Sequence, residues 1–332
     1  KKNPTSTGSF YFSLQYVNIS LMSDIKHEKK IVFVGMPDMA LVCLNRLFRD
    51  KFNIVAVIPP HKSNPSSQTI KIYAEAMGLN VYEFENSPNE NEFVEKIKNL
   101  EADIGVVCSY DILLSKDFLN TTREGYINCH PSILPEYRGA NPYHHIIRNM
   151  EEKSGITLHM MNESFDTGDI IYQREFLLDE KETMGTLFNN CNYMFADALA
   201  DILKAYEEKG ELQGTPQKQG EFKRAPKVAN EIILDLNLPV KELDCMIRAS
   251  NPFYTCNTFF RAIPWRIILA DYAEENHDKP IGQIASHKGT FAITVNGGYL
   301  YPRVTQLATW GFFDTEAFIK RFNPQIGEKV GL

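Results

Sequence analysis

The sequence lacks most of the short signatures from which chemistry is usually read. None of its six cysteines stands in a C-x-x-C pair, and most of Cys43, Cys108, Cys129, Cys191, Cys245 and Cys256 sit inside apolar runs. That argues against a disulfide scaffold and a zinc knuckle, and for buried thiols in a reducing compartment. No P-loop, G-x-S-x-G or H-E-x-x-H occurs. Gly35-Met36-Pro37 follows the first predicted strand with one glycine, where a dinucleotide-binding fingerprint has three. No apolar run approaches the ~20 residues of a membrane-spanning helix. Acids exceed bases by 42 to 35, for a net charge of −7. No basic excess advertises nucleic acid, although an acidic protein can carry a local basic patch.

What is present is a globular composition: 332 residues, 43% apolar and 23% charged. That supports a packed core and one large or two moderate domains. Residues 1–28 read as a flexible extension. Within it, residues 10–22 are mildly apolar behind two lysines. Polar residues interrupt them and no small-residue cleavage site follows, so a cytoplasmic location is expected over secretion. Met22-Ser23-Asp24 reads as a natural start, with residues 1–21 an upstream extension.

From Lys29 onward, predicted strands at 30–35, 53–58, 103–108 and 126–129 alternate with helical patterns at 39–50, 68–77 and 90–100. The alternation predicts an α/β fold with a Rossmann-like, doubly wound, mostly parallel sheet. Strands at 156–161 and 169–178 follow, then a long helix over 183–209. Residues 29–209 therefore read as one domain. Residues 210–228, rich in Gly, Gln, Lys and Pro, read as a linker. Residues 229–332 predict a helix at 240–249 and short strands at 267–272, 282–286, 291–295 and 299–305. Gly297-Gly298 marks a hairpin, and a small β-barrel-like domain is expected.

The densest chemistry lies in Asn128-Cys-His130-Pro131-Ser132-Ile-Leu134-Pro135-Glu-Tyr137-Arg138-Gly139, leaving the end of a predicted strand. Ligands of open α/β sheets bind outside the carboxyl ends of strands. Asn128 and His130 are two apart, so they point the same way. Asn141-Pro142 then opens a helix with an Asn cap and proline in the first turn. The turn Phe165-Asp166-Thr167-Gly168-Asp169 can return Asp166 towards His130. Such a trio suits acyl transfer to an amine. His takes or relays the amine proton, Asp holds the imidazolium, and Asn donates to the tetrahedral oxyanion.

This stretch resembles the 10-formyltetrahydrofolate-dependent formyltransferases, whose motif is N-x-H-x-S-L-L-P-x-x-R-G followed by D-x-G. Gly35-Met-Pro37-Asp38-Met-Ala40 is similar to the G-T-P-x-F-A stretch of the methionyl-tRNA members. Ser109-Tyr110-Asp-Ile-Leu113-Leu114-Ser-Lys is similar to their A-Y-G-x-I-L-P-K, and Ile247-Arg248-Ala249-Ser-Asn251-Pro252 to their I-R-A-x-N-P. The resemblance spans about residues 30–332. It implies a one-carbon transferase with Asn128, His130 and Asp166 catalytic and no metal. It also implies that Ile112, Leu113 and Leu114, with Met161, Asn162 and Glu163 in the stretch up to Asp166, receive the pterin of 10-formyltetrahydrofolate. Asp111 departs from the family's glycine beside that pocket.

A second departure bears on the acceptor. Methionyl-tRNA formyltransferases carry a basic, glycine-rich loop after the second strand. Here residues 59–67, Pro-Pro-His-Lys-Ser-Asn-Pro-Ser-Ser, hold one lysine, too few cations for several phosphates. The short loop is more like that of the amino-sugar-nucleotide formyltransferases. The expected acceptor is therefore an amino-sugar nucleotide, with methionyl-tRNA the alternative and hydrolysis of the folate a third reading. Arg138 and Gly139 are candidates for acceptor binding, although Arg138 also suits anchoring the loop through backbone carbonyls. Lys218, Lys223, Arg224 and Lys227 read as a solvated linker face more than as phosphate contacts. One of His144 and His145 is expected packed and the other solvated. Trp265 and Trp310 are expected as core or rim aromatics. The oligomeric state, a homodimer among the options, is left open.

Overall fold

Four consecutive apolar residues, Ile31 to Val34, form the centre of strand β1 (Lys30–Gly35), and all four have no exposed surface. A run of this kind suits a strand covered on both faces. In this computed structural model, which describes residues 25–37 and 39–331, β1 pairs in parallel with β2 (Asn53–Ile58) and β3 (Ile104–Cys108), in the order β2-β1-β3. The readings of an upstream extension, a start at Met22 and a signal-like segment at 10–22 lie outside the described residues.

The chain divides into two units, one up to Tyr126 with Leu203–Gly210, the other Ile127–Ile202 with Glu211–Leu332. The first unit holds this parallel sheet with helices α1 (Met39–Arg49), α2 (Ser67–Ala76), α3 (Asn91–Lys98) and the short α4 (Lys116–Leu119). Helix α1 buries Ala40, Cys43, Leu44 and Leu47, the spacing of an apolar stripe. Helix α4 is absent from the sequence expectation. Its four residues are too few for periodicity, and Ser115 caps it by accepting from the Phe118 N–H.

The second unit opens within β4 (Tyr126–His130), at Ile127, followed by α5 (Pro142–Arg148), β5 (Lys153–Met160) and β6 (Ile170–Leu177). Both β4–β5 and β5–β6 are antiparallel, with Asn128 opposite His159 and His130 opposite Thr157. Helix α6 (Met184–Lys209) follows.

Beyond it, β7 (Glu231–Ile233), α7 (Val240–Ser250), β8 (Thr255–Phe260), β9 (Ile263–Glu274), β10 (Ile284–His287), β11 (Thr290–Val295), β12 (Gly298–Leu307) and β13 (Phe312–Asp314) form the sheet-rich remainder, ending in α8 (Thr315–Phe322). The strand order is β10-β11-β12-β9-β8-β7, with β13 beside β12. Val330 bridges Phe260 and Lys329 bridges Gln283, so the C-terminal segment ties the end of β8 to the approach to β10. Trp265 is fully buried and stacks on Phe318 with ring centroids 4.6 Å apart, whereas Trp310 is exposed. The hairpin signalled by Gly297-Gly298 turns on Asn296 and Gly297, since Gly298 already pairs with Val295. Gly297 has φ 72°, the left-handed backbone that favours glycine in two-residue turns.

All six cysteines are buried and none is in a disulfide. Among the described residues no helix is long and apolar enough to cross a membrane.

Candidate active site

Strand alternation carries Asn128 and His130 to one face of β4, as their spacing predicts. The turn between β5 and β6 brings Asp166 to both. Asp166 Oδ1 lies 3.4 Å from His130 Nδ1 and 3.5 Å from Asn128 Nδ2. The far side of the His130 ring is committed as well, since its Nε2–H donates to the Tyr137 carbonyl at 3.0 Å. Both nitrogens of this buried imidazole face acceptors, Nδ1 the carboxylate and Nε2 the Tyr137 carbonyl.

The turn that delivers Asp166 is built from its own polar groups. Asn162 Oδ1 accepts from the Ser164 N–H at 2.9 Å and the Thr167 hydroxyl at 2.8 Å. Asp166 sits at φ 55°, a conformation that Asp tolerates better than most residues. Its second oxygen, Oδ2, accepts from the Gly139 N–H at 2.9 Å. Gly139 has φ 127°, and a Cβ there would stand 2.5 Å from the Ala225 carbonyl oxygen. Gly168 is held closer still, a Cβ meeting the Met160 oxygen at 1.8 Å. Burial alone would raise the Asp166 carboxyl. His130, through charge and hydrogen bond, and the Gly139 N–H outweigh burial and hold it well below the ordinary carboxylate value, so the site carries a fixed negative charge.

One member of the cluster was not singled out in the sequence. His159, buried on β5, lies 3.1 Å from Asn128 Nδ2 and 3.7 Å from Asp166 Oδ1 through its Nε2. It is the cross-strand neighbour of Asn128. The only signal for it was register: pairing the two strands sets residue 159 opposite residue 128.

The segment read as a linker is instead bound along the motif. Ile170 and Thr215 exchange both backbone hydrogen bonds at 2.8 Å. The N–H of Tyr137 donates to Lys223 O, that of Ala225 to Arg138 O, and that of Asn141 to Ala225 O. Buried Gln217 is the joint. It accepts from Nε and Nη2 of Arg138, and its own amide donates to the carbonyls of Asp166 at 2.9 Å and Gly168 at 2.8 Å. Arg138 thus anchors the loop through a side-chain amide, not through backbone carbonyls directly. Of the four cations in the segment, Lys223 pairs with Glu151. Arg224 is exposed and charges against Arg138, whose guanidinium burial first and Arg224 second bring below its usual range.

Asn141 does not cap α5 with its side chain. The side chain bonds the Tyr254 hydroxyl and accepts from the Val228 N–H, which leaves proline at the first turn as the start signal that holds. His144 is buried against the Ala249 carbonyl, and burial lowers it to about 4. His145, the other of the pair, is half-buried and bonds the Pro226 carbonyl at 3.0 Å.

The candidate donor contacts fall in both units. In the first, Ile112 is half-buried, Leu113 is exposed and Leu114 is buried. Asn89 shapes the segment, donating to Leu113 O at 2.8 Å and accepting from the Ser115 N–H at 2.8 Å. Asp111 is exposed, with Asn64 Nδ2 at 3.5 Å. In the second unit, Met161 is half-buried and Asn162 and Glu163 are exposed. The loop at 59–67 is closed on itself. Lys62 pairs with Glu85, His61 contacts Ser63 and the Glu85 carbonyl, and Ser66 donates to Asn64. Among the described residues no group of three or more His, Cys, Asp or Glu is placed to hold a metal ion.

The chain is similar to known proteins in both sequence and fold. The family described as formyl transferase matches residues 29–202. A methionyl-tRNA formyltransferase of Clostridioides difficile is 32% identical over 77% of this chain and 84% of its own length. That of Lachnospira eligens is 31% identical over 91% and 99%. Among solved structures, WlaRD, a sugar 3N-formyl transferase with dTDP and 5-N-formyl-THF, superposes with a TM-score of 0.63 at 19% identity. The match covers 85% of this chain and 99% of that one. An N-formyltransferase from Helicobacter canadensis, in complex with folinic acid and dTDP-3-aminofucose, gives 0.63 at 20% over the same shares. At that identity the likeness is one of fold.

Proposed function

Since the chain belongs to the formyl transferase family, we propose that residues 29–209 form a catalytic domain that moves the formyl group of 10-formyltetrahydrofolate to a primary amine. The convergence of Asn128, His130 and Asp166 within 3.5 Å carries the reading. The amine nitrogen attacks the formyl carbon, and the C=O electron pair moves to oxygen. Asn128 donates an N–H to that oxygen, where one such donor contributes about 3 kcal/mol to the transition state. His130, through Nδ1, takes or relays the proton the amine releases, and the carboxylate of Asp166 holds the resulting cation. Collapse breaks the bond between the carbonyl carbon and N10 of the folate, which leaves with a proton. Leu113 and Phe165 are exposed apolar side chains. Leu113 with Ile112 and Leu114 in the first unit, and Phe165 with Met161–Glu163 in the second, are each of a character that suits an aromatic pterin, and no metal is needed.

The acceptor we favour is an amino-sugar nucleotide, in a cytoplasmic enzyme. Lys62, the one lysine of the loop after β2, is already paired with Glu85. That leaves the loop without a free cation for an RNA backbone. Arg138 and Gly139 flank the site, and one or two guanidinium groups are enough for a diphosphate. Methionyl-tRNA is the second reading. It is favoured by the relatives that align over nine-tenths of the chain and by exposed Arg224. Release of tetrahydrofolate across a panel of amines decides the matter. Turnover with a nucleoside-diphosphate 4-amino sugar, and no tRNA binding at physiological salt, is expected. Efficient, salt-sensitive formylation of methionyl-tRNA overturns the choice, and folate hydrolysis without any acceptor supports a hydrolase.

A further inference from the structure

We propose that His159 is a positioning residue for formyl transfer. It fixes the amide of Asn128 so that an N–H, not the carbonyl oxygen, is offered to the reacting formyl group. The inference rests on the reading that Asn128 supplies the oxyanion donor.

His159 Nδ1 lies 2.8 Å from the Met160 carbonyl oxygen. A carbonyl only accepts, so Nδ1 carries the hydrogen and Nε2 is left with a lone pair. That lone pair faces Asn128 Nδ2 at 3.1 Å, which only donates. Turning the amide over would set its oxygen against the imidazole lone pair and against Asp166 Oδ1, now 3.5 Å from Nδ2. Two acceptors therefore hold the amide in one sense. One N–H is taken by His159. The other has only the long contact to Asp166, too long for a strong bond, and remains available to a closer oxygen. The imidazole is buried, with 2% of its side chain exposed, and its strand register fixes it opposite Asn128. The titratable groups facing the ring are Asp166, whose Oδ1 lies 3.7 Å from Nε2, beyond hydrogen-bond reach, and His130, with centroids 6.4 Å apart. Without the imidazole acceptor, the amide can turn and bring its carbonyl dipole against the developing oxyanion.

The test uses the full chain, tetrahydrofolate release and whichever acceptor turns over, the nucleoside-diphosphate 4-amino sugar or methionyl-tRNA. His159→Met is expected to lower kcat about 100-fold, the scale of one lost oxyanion donor, with the folate KM within about twofold. His159→Gln, whose amide oxygen can accept from Asn128, should recover most of the loss. In an Asn128→Ala background, His159→Met should cost nothing further, since its effect passes through that amide. A full additional 100-fold loss in the double variant, or near-native kcat in His159→Met, sinks the proposal. Near-native turnover of Asn128→Ala alone instead sinks the role of Asn128. Should His159→Met not fold, ¹⁵N spectra of the native ring decide. A proton on Nδ1 and a lone pair on Nε2 are expected, and a proton on Nε2 overturns the inference.

Discussion

The turn at 161–168 and the loop at 59–67 are of similar size and similarly polar, yet they bond in opposite directions. The loop's side chains bond inside it or to the exposed carboxylates of Glu85 and Asp111. The turn's Asp166 engages buried and half-buried groups instead: Asn128 and His130 on β4, the Gly139 N–H in the loop that follows, and Gln217 in the segment 211–227. Exposed polar groups that pair with one another make a neutral surface. Polar groups held by distant elements, with one carboxylate kept charged inside, make a preorganised site.

The largest effects should fall on the turn's partners. His130→Ala is expected to abolish transfer in a tetrahydrofolate-release assay while folate binding persists. Asn128→Ala should cost about 3 kcal/mol in kcat/KM. Near-native turnover in both would erase the contrast between the two regions. Gly168→Ala drives a methyl group into the Met160 carbonyl. A loss of about 1–3 kcal/mol, read by denaturant titration, is expected, and an unchanged midpoint would mean the turn yields freely.

Asp166→Asn sharpens the contrast through pH. The folded carboxyl lies below its unfolded value of 3.8. Its stabilisation is therefore complete above that value and fades as pH falls through the folded one. The stability gap between wild type and Asp166→Asn should be widest near neutrality and shrink below about pH 4. A gap that stays constant with pH would show that the carboxylate is not stabilised by folding. Lys62→Ala should do least. Turnover of a small acceptor should stay within about twofold, since an exposed ion pair contributes little. A marked loss with methionyl-tRNA would move the loop into the acceptor site.

How much of this was legible depended on whether the physics was local. The apolar run of β1 and the two-residue spacing of Asn128 and His130 are local facts, and both elements appear where the pattern set them. Asp166 was reachable because a turn between two strands must bring its residues to the sheet edge. His159 was not, because register joins positions that no short window contains. The contacts of the segment 210–228 were not legible for a different reason. Its Gly, Gln, Lys and Pro composition is the same whether water or the motif loop satisfies its backbone. Strand β8 and helix α8 also went unseen, the first for its Thr-Cys-Asn-Thr polarity. The second shows one buried side chain, Phe318, too little for periodicity.

Gln217 holds the backbone of Asp166 from 51 positions further along the chain. During synthesis the ribosome releases Asn128, His130 and Asp166 well before the residue that clamps their turn. The nascent chain therefore carries these side chains for some time without the Gln217 amide that holds their turn, until the strap at 211–227 has emerged.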